Sequence, residues 1–166
     1  MKEFPEPNDA WERDVWLLSR RMALLYYHMA KAIVERLGKE EGEKLISDAV
    51  WRYGEACGKR VGEEVLARGL PLDAANFGMI PDLPSRGWRE QTVELPEGRS
   101  ADAVVLCPLA AVWKEIGATD LGRLYCLVDQ AKIHAYNPGL RAVHSKNVLD
   151  GDDYCVIDIE EGGKRT

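Results

Sequence analysis

Amides are scarce in this 166-residue chain: Asn8, Asn76, Asn137, Asn147, Gln91 and Gln130 are all it has. With Glu, Lys and Arg abundant instead, the composition hints at a hot-growing source. No apolar run approaches the ~18 residues that a membrane span needs, so no membrane partner is expected. Positive charge is in deficit, with 22 Lys and Arg against 28 Asp and Glu for a net −6. Nucleic acid, which is bound through basic surface, is therefore not an expected partner. Met1 to Asp9 is acidic and proline-rich. It has neither the basic nor the apolar stretch of a secretory signal, so a cytoplasmic location is expected. No Cys-x-x-Cys pair occurs among Cys57, Cys107, Cys126 and Cys155, which leaves a classical structural zinc pattern with little support. In a cytoplasmic chain these four read as free thiols or ligands rather than disulfides.

What is present is enough for a core. Hydrophobic residues make up 46% of the chain, and a chain of this length buries roughly 68–70% of its unfolded surface. One domain is expected over residues 1–166, with a helical hairpin at 9–70 and an α+β part at 89–160. Asp9-Ala-Trp-Glu12 fits a capping box. From it an apolar stripe runs through Trp11, Val15, Leu18, Met22, Leu25, Met29, Ile33 and Leu37 at helical spacing. Trp16, Leu17, Leu24, Tyr26 and Tyr27 widen it, so this helix should be covered on more than one side. A second helix is predicted from Lys39 to about Arg68. Within it Gly54, Gly58 and Gly62 stand four apart and form one smooth ridge. Each glycine costs the helix about 1 kcal/mol relative to Ala, so the ridge predicts close approach by another backbone or by a ligand.

Residues 71–88 read as a connector. Strands are predicted at Thr92–Leu95 and Ala103–Leu106, at Leu140–Leu149, and at Tyr154–Ile159, with Asp150-Gly151 as a hairpin turn. A short helix should start at Pro108, and another should run from Asp120 to about Ala135 with Thr119 as its cap. The fold class is thus α+β: a long N-terminal helical hairpin packed with a small antiparallel sheet and two further helices. The two long helices carry more apolar surface than one small sheet covers, so a homodimer through them is expected.

Chemistry concentrates in the second half. Cys107 ends a strand, Cys126 lies on the Asp120 helix with Asp129 one turn on, His134 lies further along that helix, and Cys155 lies on the last strand. A thiolate is a nucleophile and a soft metal ligand, and a nearby carboxylate or imidazole can move protons. Cys107, Cys126 and Cys155 should therefore surround one pocket, with Asp129 and His134 at its edge. Cys126, Cys155, Asp129 and His134 are the candidate catalytic residues. If the three thiols converge to ligand distance, they would hold zinc or another thiolate-bound metal ion instead. The plain readings stand beside these. Buried cysteines often only pack, Cys57 sits on an apolar stripe, His28 reads as a core or interface residue, and His144 reads as facing solvent from mid-strand.

Several segments carry a family resemblance: Leu124-Tyr-Cys126-x-x-Asp129, Tyr136-Asn-Pro138, Gly151-Asp-Asp-Tyr-Cys155, Tyr53-Gly54 and Gly69-Leu-Pro-Leu72. Through them the chain resembles the L-2-amino-thiazoline-4-carboxylic acid hydrolase family. The resemblance implies a small-molecule substrate and hydrolytic opening of a thiazoline ring to a carbamoyl-cysteine. The nucleophile would be a thiolate from Cys126 or Cys155, or a water activated by Asp129 or His134. The Gly151–Cys155 hairpin is also similar to one in vinyl-reductase-type small-molecule-binding domains. That implies an alternative, a ligand- or metal-binding sensor without turnover.

Overall fold

Asp9 accepts a hydrogen bond from the Glu12 amide at 2.8 Å and so starts α1 (Ala10–Leu37). In the computed structural model, which describes residues 5–96 and 98–162, α1 stops at Gly38. That residue has φ +83°, a conformation glycine takes without strain, and α2 (Lys39–Ala67) begins directly after it. The expected helical hairpin is present. The face that α1 buries is not the expected stripe. Val15 is buried, but Leu18, Met22, Leu25 and Met29 point outward, with Leu18 69% and Leu25 63% exposed. The buried face is Val15, Trp16, Ser19, Ala23 and Ala30. Small residues decide this, because they let the helix axis come close to its neighbours. Two indoles then lock the contact: Trp113 Nε1 donates to the Ala23 carbonyl at 3.1 Å, and Trp16 Nε1 donates to the Gly87 carbonyl at 2.8 Å.

After α2 the chain makes one short helix, α3 (Ala74–Phe77), inside the expected connector. The strands β1 (Arg89–Glu94) and β2 (Ser100–Leu106) pair antiparallel, as do β3 (Leu140–Lys146) and β4 (Val156–Glu161). These are two hairpins rather than the one small sheet expected. They touch through one bridge, in which the Val104 and Cys155 amides donate to each other's carbonyls at 2.9 and 3.0 Å. Pro108 opens α4 (Pro108–Glu115) straight after β2. A proline has no N–H to give a ladder, so β2 does not extend past it. The architecture is α+β. No helix among the described residues is long and apolar enough to cross a membrane.

The helix expected over Asp120–Ala135 is two helices, α5 (Thr119–Tyr125) and α6 (Leu127–Tyr136), and Ala118 rather than Thr119 occupies the cap position. Cys126 takes up the break, its amide donating three residues back to the Arg123 carbonyl at 3.2 Å. Each half follows a different anchor. Tyr125 joins an aromatic group with Tyr26, Tyr53 and Trp113, at ring separations of 5.1, 6.2 and 5.4 Å. α6 follows the glycine ridge. Its contact with α2 is the most extensive between any two elements. A Cβ on Gly54 would lie 2.6 Å from the Ala131 Cβ and 2.7 Å from the Val128 carbonyl oxygen, and one on Gly58 would strike the Lys132 carbonyl. The ridge receives a helix, not a ligand. Below it Val61, Val65, Ile133, Tyr136, Leu140 and Ala142 form a core.

Alanine substitutions along the ridge should separate by position. At Gly58, overpacking against a backbone carbonyl, about 3 kcal/mol, exceeds the ~1 kcal/mol that alanine gains in a helix. Gly58→Ala and Gly54→Ala should therefore lower the melting temperature. Gly62→Ala, where the nearest atom is 3.7 Å away, should be neutral or stabilising. Equal melting temperatures for all three variants would mean that α2 and α6 are not this close.

Candidate functional site

The seating of α6 on α2 places Asp129 at the centre of a polar group drawn from four elements. Asp129 Oδ2 lies 3.3 Å from His144 Nε2 on β3, and its Oδ1 lies 3.7 Å from Lys132 Nζ, one turn on along α6. The His144 side chain is only 3% exposed. Lys132 also donates to Asp82 at 3.0 Å, and Asp82 is reached by Arg60 at 3.2 Å. Burial alone would lower the Lys132 ammonium, but Asp129 and Asp82 outweigh it and hold its pKa above the ordinary value. Burial likewise opposes the Asp82 carboxylate, and Lys132 and Arg60 bring it below the ordinary value. Charge is thus balanced inside the group. On the α2 side the Tyr53 ring faces that of Tyr125 at 6.2 Å, and burial raises both phenols.

The sequence-expected thiols border this group. Burial pushes the Cys126 thiol up to about 12, with the Asp129 charge adding to it. Burial also pushes Cys107 up to about 11, with the charge of Cys155 adding to it. Cys155 is raised by burial too, against the pull of the Val148 amide, which donates to its sulfur at 3.4 Å. Cys107 is near enough to Cys155, and Cys126 to Cys107, for their charges to act on one another, and Asp129 acts on both Cys126 and Cys155. The Asp129 charge thus reaches Cys126 and Cys155, and Cys107 and Cys126 pack against the same core. His134 does not join them. It is exposed on α6, its ring 6.0 Å from that of Trp51, because five residues at 3.6 per turn carry it well round the helix from Asp129. Among the described residues, no set of three or more His, Cys, Asp and Glu side chains is arranged to hold a metal ion. Cys107, Cys126 and Cys155 accordingly do not form the expected ligand set.

His144 is the residue that sequence reasoning placed wrongly. Leu140, Ala142 and His144 alternate along β3, and the first two are core residues. Period-two alternation puts His144 on their face, not on the solvent face. That signal was in the sequence. The register of β3 against β4 shifts between His144 and Lys146, and beyond the shift lies Asn147, 1% exposed. Asn147 organises the turn: its amide donates to Asp152 at 2.8 Å, and its Oδ1 accepts from the Leu149 amide at 2.9 Å. Two surface depressions, of about 280 and 270 Å³, lie elsewhere, on either side of Arg86, and are lined from residues 8–15 and 84–89.

The family model of L-2-amino-thiazoline-4-carboxylic acid hydrolase matches residues 19–158. The chain belongs to that family. No curated protein and no solved structure matches it. The matched span of this hydrolase-family chain takes in every residue of the Asp129 group, from Tyr53 on α2 to Asn147 after β3 and Cys155 before β4.

The raised thiols have a direct consequence. With its pKa pushed up to about 12 by burial, the Cys126 thiol is protonated at pH 7. Iodoacetamide should label native Cys107, Cys126 and Cys155 far more slowly than the unfolded chain at pH 7, and labelling should accelerate well into the alkaline range. Rapid alkylation of native Cys126 or Cys155 at pH 7, read by mass spectrometry, would contradict this environment.

Proposed function

We propose that this protein hydrolyses a thiazoline-type ring, giving a carbamoyl-cysteine-like product. The observation that carries the reading is the Asp129–His144 pair, enclosed beside Lys132 within the family's matched span. The electrophile is the amidine-like carbon between ring sulfur and ring nitrogen. Water forms the new C–O bond, and one of its protons passes to the ring nitrogen. The C–S bond then breaks, the new hydroxyl becomes the carbamoyl carbonyl, and its proton passes to the departing sulfur. A water activated at Asp129 and His144 suits this chemistry. Buried, protonated Cys126 and Cys155 thiols are weak nucleophiles. We assign them to the wall of the site.

Incubation with 2-amino-thiazoline-4-carboxylic acid should release a free thiol, measured with a chromogenic disulfide. Asp129→Asn should lower turnover by about 10²-fold or more. Cys126→Ser and Cys155→Ser, at a stability loss of about 1–3 kcal/mol, should keep most of it. Loss of turnover in a folded Cys126→Ser or Cys155→Ser variant would make a thiol the nucleophile. No thiol release by the wild type would leave the ligand-binding alternative.

We further propose that a second copy of the chain covers the outer face of α1. Leu18, Met22, Leu25 and Met29 are exposed at steps of 4, 3 and 4, a spacing that seats one helix on another. Arg21 and Glu35 each lie seven residues from His28. In an antiparallel pair crossing at His28, each Arg21 meets the partner's Glu35, as a two-fold axis requires. Sedimentation should give twice the 18.6 kDa chain mass at micromolar concentration, and Leu25→Glu should give a folded monomer. A monomeric wild type would refute the pairing.

A further inference from the structure

Among the described residues, two buried side-chain nitrogens have no hydrogen-bond partner: Nδ1 of His144 and Nδ2 of Asn147. A folded chain seldom leaves one such atom unpaired, let alone two that lie three residues apart. Their orientations are fixed from behind. Asp129 can only accept, so the imidazole nitrogen facing it, Nε2, carries the hydrogen, and Nδ1 is left with its lone pair. The Leu149 amide fixes Oδ1 of Asn147, so Nδ2 is the outward-reaching donor. It leans on the Cys126 sulfur, favouring its thiolate, without hydrogen-bond geometry. In a regular strand His144 and Asn147 would face opposite ways. The register shift between His144 and Lys146 re-aims the chain so that both side chains are buried. His144 lies against Asp129, and Asn147 and Asp129 both act on the Cys126 thiol.

We propose that these two atoms seat the reacting water. This inference rests on the hydrolase reading above and names the groups that touch the chemistry. The water donates to His144 Nδ1 and accepts from Asn147 Nδ2. As its oxygen bonds to the ring carbon, its proton moves to Nδ1, and the imidazolium formed is held by the Asp129 carboxylate. Asn147 Nδ2 donates to that same oxygen as it becomes the carbamoyl oxygen. The imidazolium gives its proton to the ring nitrogen; as the C–S bond breaks, the hydroxyl proton passes through Nδ1 to the leaving sulfur, and His144 is again neutral. His144 is then a catalytic residue and Asp129 acts through it as a positioning residue.

The test compares His144→Gln, His144→Ala and Asn147→Asp with the wild type on 2-amino-thiazoline-4-carboxylic acid, each checked for an unchanged melting profile. Asn147→Asp keeps the acceptor for Leu149 and removes the donor. His144→Gln should lower kcat by about 10²–10⁴-fold with KM within about threefold, and Asn147→Asp should lower kcat in the same sense. Added imidazole should restore turnover to His144→Ala and do nothing for Asp129→Asn. A His144→Gln enzyme with wild-type kcat, or a His144→Ala enzyme that imidazole does not rescue, overturns the seat while leaving the hydrolase reading standing. If the wild type releases no thiol, that reading fails. The seat is then decided by nitrogen-15 NMR of the wild-type protein, as it also is if the variants do not fold. His144 Nδ1 must resonate as an unprotonated acceptor and shift when the ring compound is added. A protonated Nδ1, or one that does not shift, overturns it.

Discussion

The absence of side chains at Gly54 and Gly58 is the constraint on which this molecule depends. It lets the backbone of α6 rest directly on α2, with the Val128 and Lys132 carbonyls in the space two Cβ atoms would fill. The two helices gain contact along their length, which offsets the intrinsic penalty of glycine in a helix. The same approach puts Tyr53 and Cys57 of α2 beside Tyr125, Asp129 and Lys132. The chain after α6 is held in turn. The Asn137 side chain donates to the Leu72 carbonyl at 2.5 Å and accepts from the Gly139 amide at 2.8 Å. β3 therefore leaves in a fixed direction and delivers His144 to Asp129.

Enclosing these groups would be unfavourable if each stood alone. It succeeds because they compensate one another: Lys132 lies between Asp129 and Asp82, and Arg60 reaches Asp82 from the outside. The thiols meet the same burial with no cation close enough to outweigh it, and they stay protonated. Desolvation thus leaves neutral sulfur beside the Asp129–His144 pair. For a reaction in which water attacks an amidine-like carbon, that arrangement assigns the proton traffic to the pair.

Much of this was legible in the residues. The Asp9 cap, the Gly38 stop, the hairpins, the helix from Pro108 and the close packing at the glycine ridge all follow from local rules that the fold obeys. The outward stripe of α1 was misread, because periodicity finds an apolar face without saying which of two faces the rest of the chain covers. Ala23 and Ser19 win that contest by being small. The break at Cys126 was invisible because it comes from two competing tertiary anchors, the aromatic group and the glycine ridge. Cys126, Cys155 and Asp129 stand out in the sequence as chemistry-bearing residues, but the state of the thiols does not, since desolvation depends on the whole fold. Helical spacing ties His134 to Cys126 in the sequence, but the fold leaves it exposed. The partner of a carboxylate is set by what packs across from it, and here that is a strand.

The central question for this protein is whether a small ring binds beside Asp129, His144 and Asn147. A crystal structure with 2-amino-thiazoline-4-carboxylic acid or its ring-opened product addresses this most directly. The ligand should lie beside Cys126, with an oxygen or a bound water within hydrogen-bond reach of both His144 Nδ1 and Asn147 Nδ2. A ligand seated in the depressions beside Arg86, with those two nitrogens satisfied by the protein's own groups, would contradict it.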